Sequence, residues 1–166
     1  MTAGPATEPS GRFVAERLLA TVREDVGRAD TKASILLSGA VAVPALLVSG
    51  HWPPDGTGTA ATALLSAGAL LWFLGAAALV RAILPRTGTG RAVGDLTYFG
   101  DLLTADDPDL LVARVASAGR DPVRWLLVQS VDVSAILAAK YRWIRRGVAC
   151  MAPGALLAVA GFLLSQ

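Results

Sequence analysis

Few residues of this 166-residue chain have side chains that could carry acid–base, nucleophilic or metal chemistry. The single histidine, His51, stands beside Trp52 and two prolines, which is typical of a turn rather than of a catalytic base. The single cysteine, Cys150, lies in an apolar stretch and has no second cysteine with which to form a disulfide or a zinc site. The sequence therefore predicts no catalytic residue, no metal site and a protein that is not an enzyme.

Two other polar segments have more than one interpretation. The glycine-rich segment Gly88–Gly94 could cradle a phosphate, but it lacks Gly-Lys-Ser/Thr and a surrounding βαβ unit, so a linker is favoured. Four aspartates could bind a divalent cation, but their spacing is not that of an EF-hand, and Asp107 fits a helix cap better. These aspartates are Asp101, Asp106, Asp107 and Asp109.

Three uncharged stretches must position these polar residues. Ala33–Gly50 has 18 residues, Ala60–Val80 has 21 and Gly147–Ser165 has 19, all without Asp, Glu, Lys or Arg. As helices they would be roughly 27–32 Å long, which matches a hydrocarbon core of about 30 Å. The remaining chain is too short to enclose three helices that are apolar on every face. The sequence therefore predicts three transmembrane helices.

The distribution of the 15 Lys and Arg residues predicts the orientation. Five lie between Arg12 and Lys32, and ten lie between Arg81 and Arg146. None lies in His51–Thr59 or after the third uncharged stretch. The positive-inside rule therefore places the N-terminus and the middle region in the cytoplasm, and the C-terminus outside it.

The predicted fold is an all-α membrane protein with three transmembrane helices, an N-terminal amphipathic helix and a small helical cytoplasmic region between spans two and three. The predicted segments are a disordered tail (1–11), the amphipathic helix (12–32), the first span (33–50), an external loop (51–59), the second span (60–84), the cytoplasmic helical region (85–146) and the third span (147–165). Apolar residues of the amphipathic helix recur at spacings of three and four. They are Val14, Leu18, Val22, Val26, Ala29 and Ala33.

Two Asp-Pro pairs predict helix starts in the cytoplasmic region. Asp107-Pro108 and Asp121-Pro122 each combine a capping residue with proline at the first helical position, and Gly119 ends the first helix. The second helix has no breaker before Gly147, so we expect it to continue into the third span. Two adjacent stripes run along it, one through Leu126, Ser130, Val133, Leu137, Tyr141 and Ile144, and one through Trp125, Gln129, Asp132, Ile136 and Lys140.

The residues at the membrane favour binding and packing over transport. A basic cluster just before the third span is typical of a topology anchor that contacts anionic lipid; it comprises Lys140, Arg142, Arg145 and Arg146. No acidic or basic residue lies within the three uncharged stretches, which disfavours pumps and transporters. Small residues predict close helix packing of spans two and three; they are Ala67, Gly68, Gly75 and Ala78, and Gly154 with Ala158.

Several short motifs resemble one known family. They are Arg28-Ala-Asp30-Thr-Lys32-Ala-Ser-Ile-Leu-Leu-Ser-Gly39 at the first span, Tyr98-Phe99-Gly100-Asp101 after the second, and Gln129 with Lys140-Tyr141 before the third. From Val14 to the C-terminus, the chain resembles the Pycsar transmembrane effectors (PycTM), which are encoded beside a pyrimidine cyclase in bacterial anti-phage operons.

The resemblance implies a multi-pass protein of the bacterial inner membrane. It implies that cyclic CMP or cyclic UMP, made by the cognate cyclase, activates the protein, which then impairs the membrane so that infection is abortive. We expect a homo-oligomer in the lipid bilayer that binds no nucleic acid and has no cofactor. The sequence contains no recognisable cyclic-nucleotide-binding β-barrel.

A cyclic mononucleotide carries one negative charge, so its site needs a cation and an aromatic or amide group. The residues expected to contact it are Arg28, Lys32, Gln129, Lys140 and Tyr141. Asp30 and Asp101 are expected to have structural or gating roles. Alternatively, and favoured from the sequence, Asp30 pairs with Lys32 and fixes the amphipathic helix against the cytoplasmic region.

Two other functions are compatible with the sequence. One is a constitutive membrane scaffold or subunit whose cytoplasmic helices dock a partner. The other is a membrane-bound enzyme, which is disfavoured because the cytoplasmic side has no histidine, no cysteine and no catalytic motif.

Overall fold

The computed structural model describes residues 7–49, 58–84 and 108–165, and over these ranges the chain is helical with no strand. The helices are α1 (Thr7–Ser49), α2 (Thr59–Ile83), α3 (Pro108–Ala118) and α4 (Pro122–Leu164). The predicted all-α class is confirmed for this part of the chain. Most of the predicted external loop, the Gly88–Gly94 segment, His51 and Asp101 lie outside the described residues.

Helix α1 begins at Thr7, five residues before the predicted start at Arg12, so part of the segment predicted as a tail is helical. Pro9 is compatible with the first turn because the N–H groups there have no acceptor within the helix. One turn later the Arg12 Nε atom lies 2.8 Å from a carboxylate oxygen of Glu16, a pairing that favours helix at this spacing. The helix then continues through Gly27 without interruption.

The starts of α3 and α4 agree with the Asp-Pro signals. Helix α3 begins at Pro108 and ends at Ala118, directly before Gly119. Helix α4 begins at Pro122, where the Asp121 carboxylate accepts a 3.0 Å hydrogen bond from the backbone N–H of Arg124. Asp121 is therefore the N-cap of α4, because it satisfies one of the first N–H groups, which lack helical partners.

Two helices, not the predicted three, are long and apolar enough to cross a membrane: α2 and α4. Helix α2 agrees with the predicted second span to within one residue at each end, and α4 contains nearly all of the predicted third span. The predicted first span, 33–50, is not among them within the described residues.

The two candidate spans are mostly uncovered by protein. Only 22% of the apolar window in α2 and 17% of that in α4 is buried. The core helix of a soluble protein would be covered on most of its faces, since exposed apolar surface costs about 25 cal/mol per Å² in water. The pattern is typical of helices whose outer faces contact lipid.

The chain divides into two compact units. The first comprises Met1–Gly27 with Pro85–Leu137, and the second comprises Arg28–Leu84 with Ala138–Gln166. Helices α1 and α4 each contribute residues to both units while remaining unbroken helices.

In the first unit, α1 and α4 pack through a small apolar core. Ala15, Leu19 and Leu126 are buried, and Val123, Trp125 and Val133 pack against them. The predicted stripe through Val14 and Leu18 is wrong here, because these side chains are 54% and 47% exposed. The burial of Ala15, Leu19, Ala29 and Ala33 fits the alternating spacing 15, 19, 22, 26, 29, 33. When two spacings of four follow each other, as from Val14 to Leu18 to Val22, the side chains lie progressively further around the helix and do not stay on one face.

In the second unit, glycines bring α2 and α4 into close contact. A Cβ atom at Gly68 would lie 2.8 Å from the Gly154 carbonyl oxygen and 2.9 Å from the Ala158 nitrogen. Gly75 similarly contacts the Gly147 backbone. Both obstructing groups are backbone, so the two helices could not remain at this distance if a side chain were present. The predicted packing of small residues is confirmed at these positions, although Ala67 is exposed.

The small residues recur every seven positions on both helices. On α2 they are Ala61, Gly68, Gly75 and Ala82, and on α4 they are Gly147, Gly154 and Gly161; all seven are buried. A seven-residue repeat keeps one stripe facing its neighbour when two helices cross at the shallow angle typical of left-handed packing. Gly68 faces Gly154 and Gly75 faces Gly147, so the two helices are antiparallel.

Helix α1 is joined to α2 by a hydrogen bond in this unit. The Trp72 indole N–H donates to the Ala40 carbonyl oxygen at 2.8 Å, and Ala40 is buried. Pro44, four residues further on, has no N–H, so the Ala40 carbonyl lacks its usual helical donor and the indole N–H takes that place. The bond gives the indole a polar partner where the flanking residues are apolar.

We expect Gly68→Ala and Gly154→Ala to destabilise the protein by about 1–3 kcal/mol each, because the new Cβ meets backbone that cannot rotate away. Thermal unfolding of the detergent-purified chain measures this as a lower Tm. Gly39→Ala is the matched control, because Gly39 also lies within a helix and a Cβ there meets nothing within 4 Å. Equal melting temperatures for the three variants would contradict the close approach of α2 and α4.

Candidate functional site

The most distinctive polar contact of the second unit joins Asp30 on α1 to Lys140 on α4. The Lys140 ammonium donates to the Asp30 carboxylate in an ion pair. The Lys140 side chain is only 12% exposed, whereas that of Asp30 is 41% exposed. A mostly buried ammonium needs a partner, while a half-exposed carboxylate remains accessible to solvent. The pair is therefore one-sided: Lys140 depends on Asp30 more than Asp30 depends on Lys140.

Asp30 pairs with Lys140 and not with Lys32, as the favoured sequence interpretation had it. Residues two apart on a helix point to nearly opposite faces, so Asp30 and Lys32 cannot meet within α1. Lys32 is exposed. The idea that Asp30 fixes α1 to a neighbouring element is retained, but its partner lies 110 residues further along the chain.

Arg28 and Lys32, two of the predicted ligand contacts, share one face of α1. They are four residues apart, which places them one turn above each other, and both are exposed. Like charges at this spacing repel each other, and a bound anion would relieve the repulsion. Arg28 also has a polar or electrostatic contact within the protein.

Tyr141, another predicted contact, follows Lys140 directly but faces a different direction. Its side chain is 36% exposed, whereas Lys140 is mostly buried. Successive helical residues point about 100° apart, so the two side chains diverge. The packed face of α4 passes through Lys140, Ile144 and Gly147, and Tyr141 lies beside it.

Gln129, the remaining described contact, belongs to the first unit. Its side-chain oxygen accepts a 3.2 Å hydrogen bond from an Arg23 guanidinium N–H, and the residue is 9% exposed. The Ser130 hydroxyl, next to it, donates to the Leu126 carbonyl at 2.8 Å. Arg23 was missed as a contact in the sequence analysis.

A shallow concavity of about 300 Å³ lies in the same unit at the turn between α3 and α4. Val115, Ala118, Gly119, Pro122 and Trp125 line it. Its walls are apolar with one aromatic ring, so it suits a flat apolar group and supplies no charge for a phosphate.

A second group missed by the sequence lies where α2 ends. The guanidinium carbons of Arg81 and Arg146 lie 5.4 Å and 5.0 Å from the centre of the Trp143 ring. Both distances are within the range of a cation–π interaction. Arg146 had been assigned to the basic cluster, but nothing in the sequence linked it to Arg81, 65 residues away.

No metal centre is found in the part of the chain that the structure describes, because no three His, Cys, Asp or Glu side chains there lie close together. Cys150 is a free thiol of intermediate exposure. The polar groups around Lys140, Gln129 and Trp143 include cations, an amide and an aromatic ring, which suit an anion and a planar ring.

A family model described as the Pycsar effector protein domain (PycTM) matches residues 14–165. No curated protein matches the chain. No solved structure matches it either.

We expect Asp30→Asn to lower the free energy of unfolding by about 1–3 kcal/mol, because it leaves the mostly buried Lys140 ammonium without its counter-charge. Thermal unfolding measures the loss. Glu16→Gln is the matched control: it removes a carboxylate from the exposed Arg12–Glu16 pair, so a change of less than about 1 kcal/mol is expected.

Exchanging the charges in Asp30→Lys with Lys140→Asp should recover part of the lost stability, since opposite charges then face each other again. If the double variant lost more stability than the two single variants lose together, the ion pair would not be the stabilising contact.

Proposed function

Because the chain belongs to the Pycsar effector family and is thus a Pycsar anti-phage defence effector, we propose that it senses cyclic CMP or cyclic UMP and then impairs the inner membrane. The observation that carries the proposal is the family match over residues 14–165, nearly the whole chain. Two helices apolar enough to cross a membrane, and mostly uncovered by protein, support the membrane part. Infection would end abortively because a cell with a compromised membrane cannot support phage multiplication.

The proposed topology has three spans, with α1 supplying the first. Ala33–Ser49 is uncharged, and a span needs about 20 predominantly apolar residues, so α1 and Gly50 together reach about the required length. Helices α1 and α4 each have 43 residues, so roughly half of each would remain outside the bilayer. The distribution of Lys and Arg supports a cytoplasmic location for that half.

The proposed sensor is the Lys140 ammonium in the second unit. A cyclic nucleotide has a singly charged phosphate, which competes with the Asp30 carboxylate for Lys140. Asp30 is 41% exposed and therefore displaced at a small desolvation cost, while Lys140 keeps a counter-charge throughout. Arg28 and Lys32 lie on the opposite face of α1 from Asp30 and stay as predicted contacts. Gln129, Tyr141 and Asp101 stay as predicted contacts or gating residues.

The proposed transmission uses the continuity of the helices. Exchange of Asp30 for a phosphate releases α1 from α4 at Lys140, and each helix carries the change along its own hydrogen-bonded backbone toward the spans. Repacking of the spans, in a homo-oligomer, would then let ions cross. No bond is made or broken in this scheme, in line with a family that is not known as catalytic.

A constitutive scaffold is the second candidate function, and one observation favours it. Phe13, Val14 and Leu18 near the start of α1 are 68%, 54% and 47% exposed. Clustered apolar side chains outside a candidate span are typical of a docking surface. The scaffold predicts capture of a protein partner without nucleotide and no toxicity when cyclic nucleotide rises.

Co-expression with the cognate cyclase tests the first function. During infection, a dye that reports membrane potential should show depolarisation in cells that carry both proteins and none in cells that lack the cyclase. Unchanged potential while cyclic CMP or cyclic UMP accumulates would exclude membrane impairment.

Two variants test the exchange at Lys140, because both break the ion pair but should act oppositely. Lys140→Gln removes the group that binds phosphate, so we expect loss of the response. Asp30→Asn removes the competitor, so we expect depolarisation at a lower nucleotide concentration. Arg142→Gln, which removes an exposed cation two residues away, is the control and should respond normally. Identical behaviour of the first two variants would show that the pair is purely structural.

A further inference from the structure

The cluster of Arg81, Trp143 and Arg146 lies at one end of the α2–α4 pair. The uncharged window of α2 ends at Val80, directly before Arg81, and that of α4 begins at Gly147, directly after Arg146. Gly147 faces Leu79 and Gly75, so these two window ends lie side by side. The two arginines are therefore the first charges beyond the apolar parts of both helices.

The positive charge of this cluster is not balanced by the described residues. Arg81 and Arg146 are both exposed, and within the described ranges their recorded contact is with the Trp143 ring. Since both lie over one ring, their guanidinium carbons are no more than about 10 Å apart. An anion that contacts both guanidinium groups would offset their mutual repulsion.

We propose that Arg81 and Arg146 form a binding site for a singly charged phosphodiester, supplied by the headgroup of an anionic phospholipid. A guanidinium over an indole keeps the N–H donors at its edge available, and its planar fork fits two phosphate oxygens. Tryptophan also favours the depth of lipid headgroups. This inference rests on the membrane placement given under the proposed function.

A cyclic nucleotide is the other source of a singly charged phosphodiester. Two features favour the lipid. The arginines border both apolar windows, where headgroups lie. Trp143 already contacts two guanidinium groups, so its ring is not available to stack on a base.

Native mass spectrometry of the full chain in detergent, titrated with phosphatidylglycerol or phosphatidylcholine, tests the site. We expect selective binding of phosphatidylglycerol and a loss of affinity of roughly tenfold or more in Arg81→Gln with Arg146→Gln, since both guanidinium groups that donate to the phosphate are removed. Lysine at both positions should restore only part of the affinity, because an ammonium lacks the planar fork.

Arg142→Gln with Arg145→Gln is the matched control, because it removes two exposed cations from the same stretch of α4. We expect a loss of less than threefold. Equal losses in the two double variants would show a diffuse basic belt and overturn the site. Displacement of phosphatidylglycerol by cyclic CMP or cyclic UMP, or binding of either that needs Arg81 and Arg146, would overturn the lipid assignment.

Reconstitution into phosphatidylcholine vesicles separates this inference from the proposed function. If the chain resists extraction by alkaline carbonate but shows no preference for phosphatidylglycerol, the lipid site alone fails. If the chain is extracted, the membrane placement fails and the lipid site fails with it.

Discussion

The close approach of α2 and α4 is the constraint on which the second unit depends. At Gly68 and Gly154 the backbone of one helix lies where a side chain would otherwise stand. In a bilayer the hydrophobic effect does not drive helices together, because lipid tails are as apolar as leucine. Close van der Waals contact is then a main source of attraction. The glycines therefore let the helices pack without the large apolar side chains that a soluble core needs, and Leu70, Phe73 and Leu156 remain on the outer surface.

Polar interactions are correspondingly kept away from the centre of this packing. The Asp30–Lys140 ion pair and the Arg81–Trp143–Arg146 cluster lie beside the uncharged windows and not within them. A charge at the centre of a bilayer is costly, so charged recognition is expected at its edges. Both groups suit anions, one at a mostly buried ammonium and one at exposed guanidinium groups, and neither has the nucleophile and base that covalent chemistry requires.

The sequence predicted where helices begin better than which of their faces are buried. The starts of α3 and α4 followed from Asp-Pro pairs, because capping is a local interaction that a few residues determine. The faces depend on which helices meet, so Val14 and Leu18 were assigned to a buried stripe that in fact runs through Ala15 and Leu19. The same limit applies to the site. Lys140 and Asp30 were both identified, but Asp30 was paired with Lys32, because contacts between α1 and α4 leave no mark in local spacing.

The seven-residue recurrence of small side chains on α2 and α4 has a geometric consequence. A displacement of one repeat, about 10 Å along the axis, would again place small residues opposite small residues. The glycines thus determine the distance between the two helices, but they do not distinguish between relative positions one repeat apart along the axis. Contacts that occur only once, such as Arg81 with Trp143, must select one height, and a molecule that lost them would have neighbouring registers of similar energy.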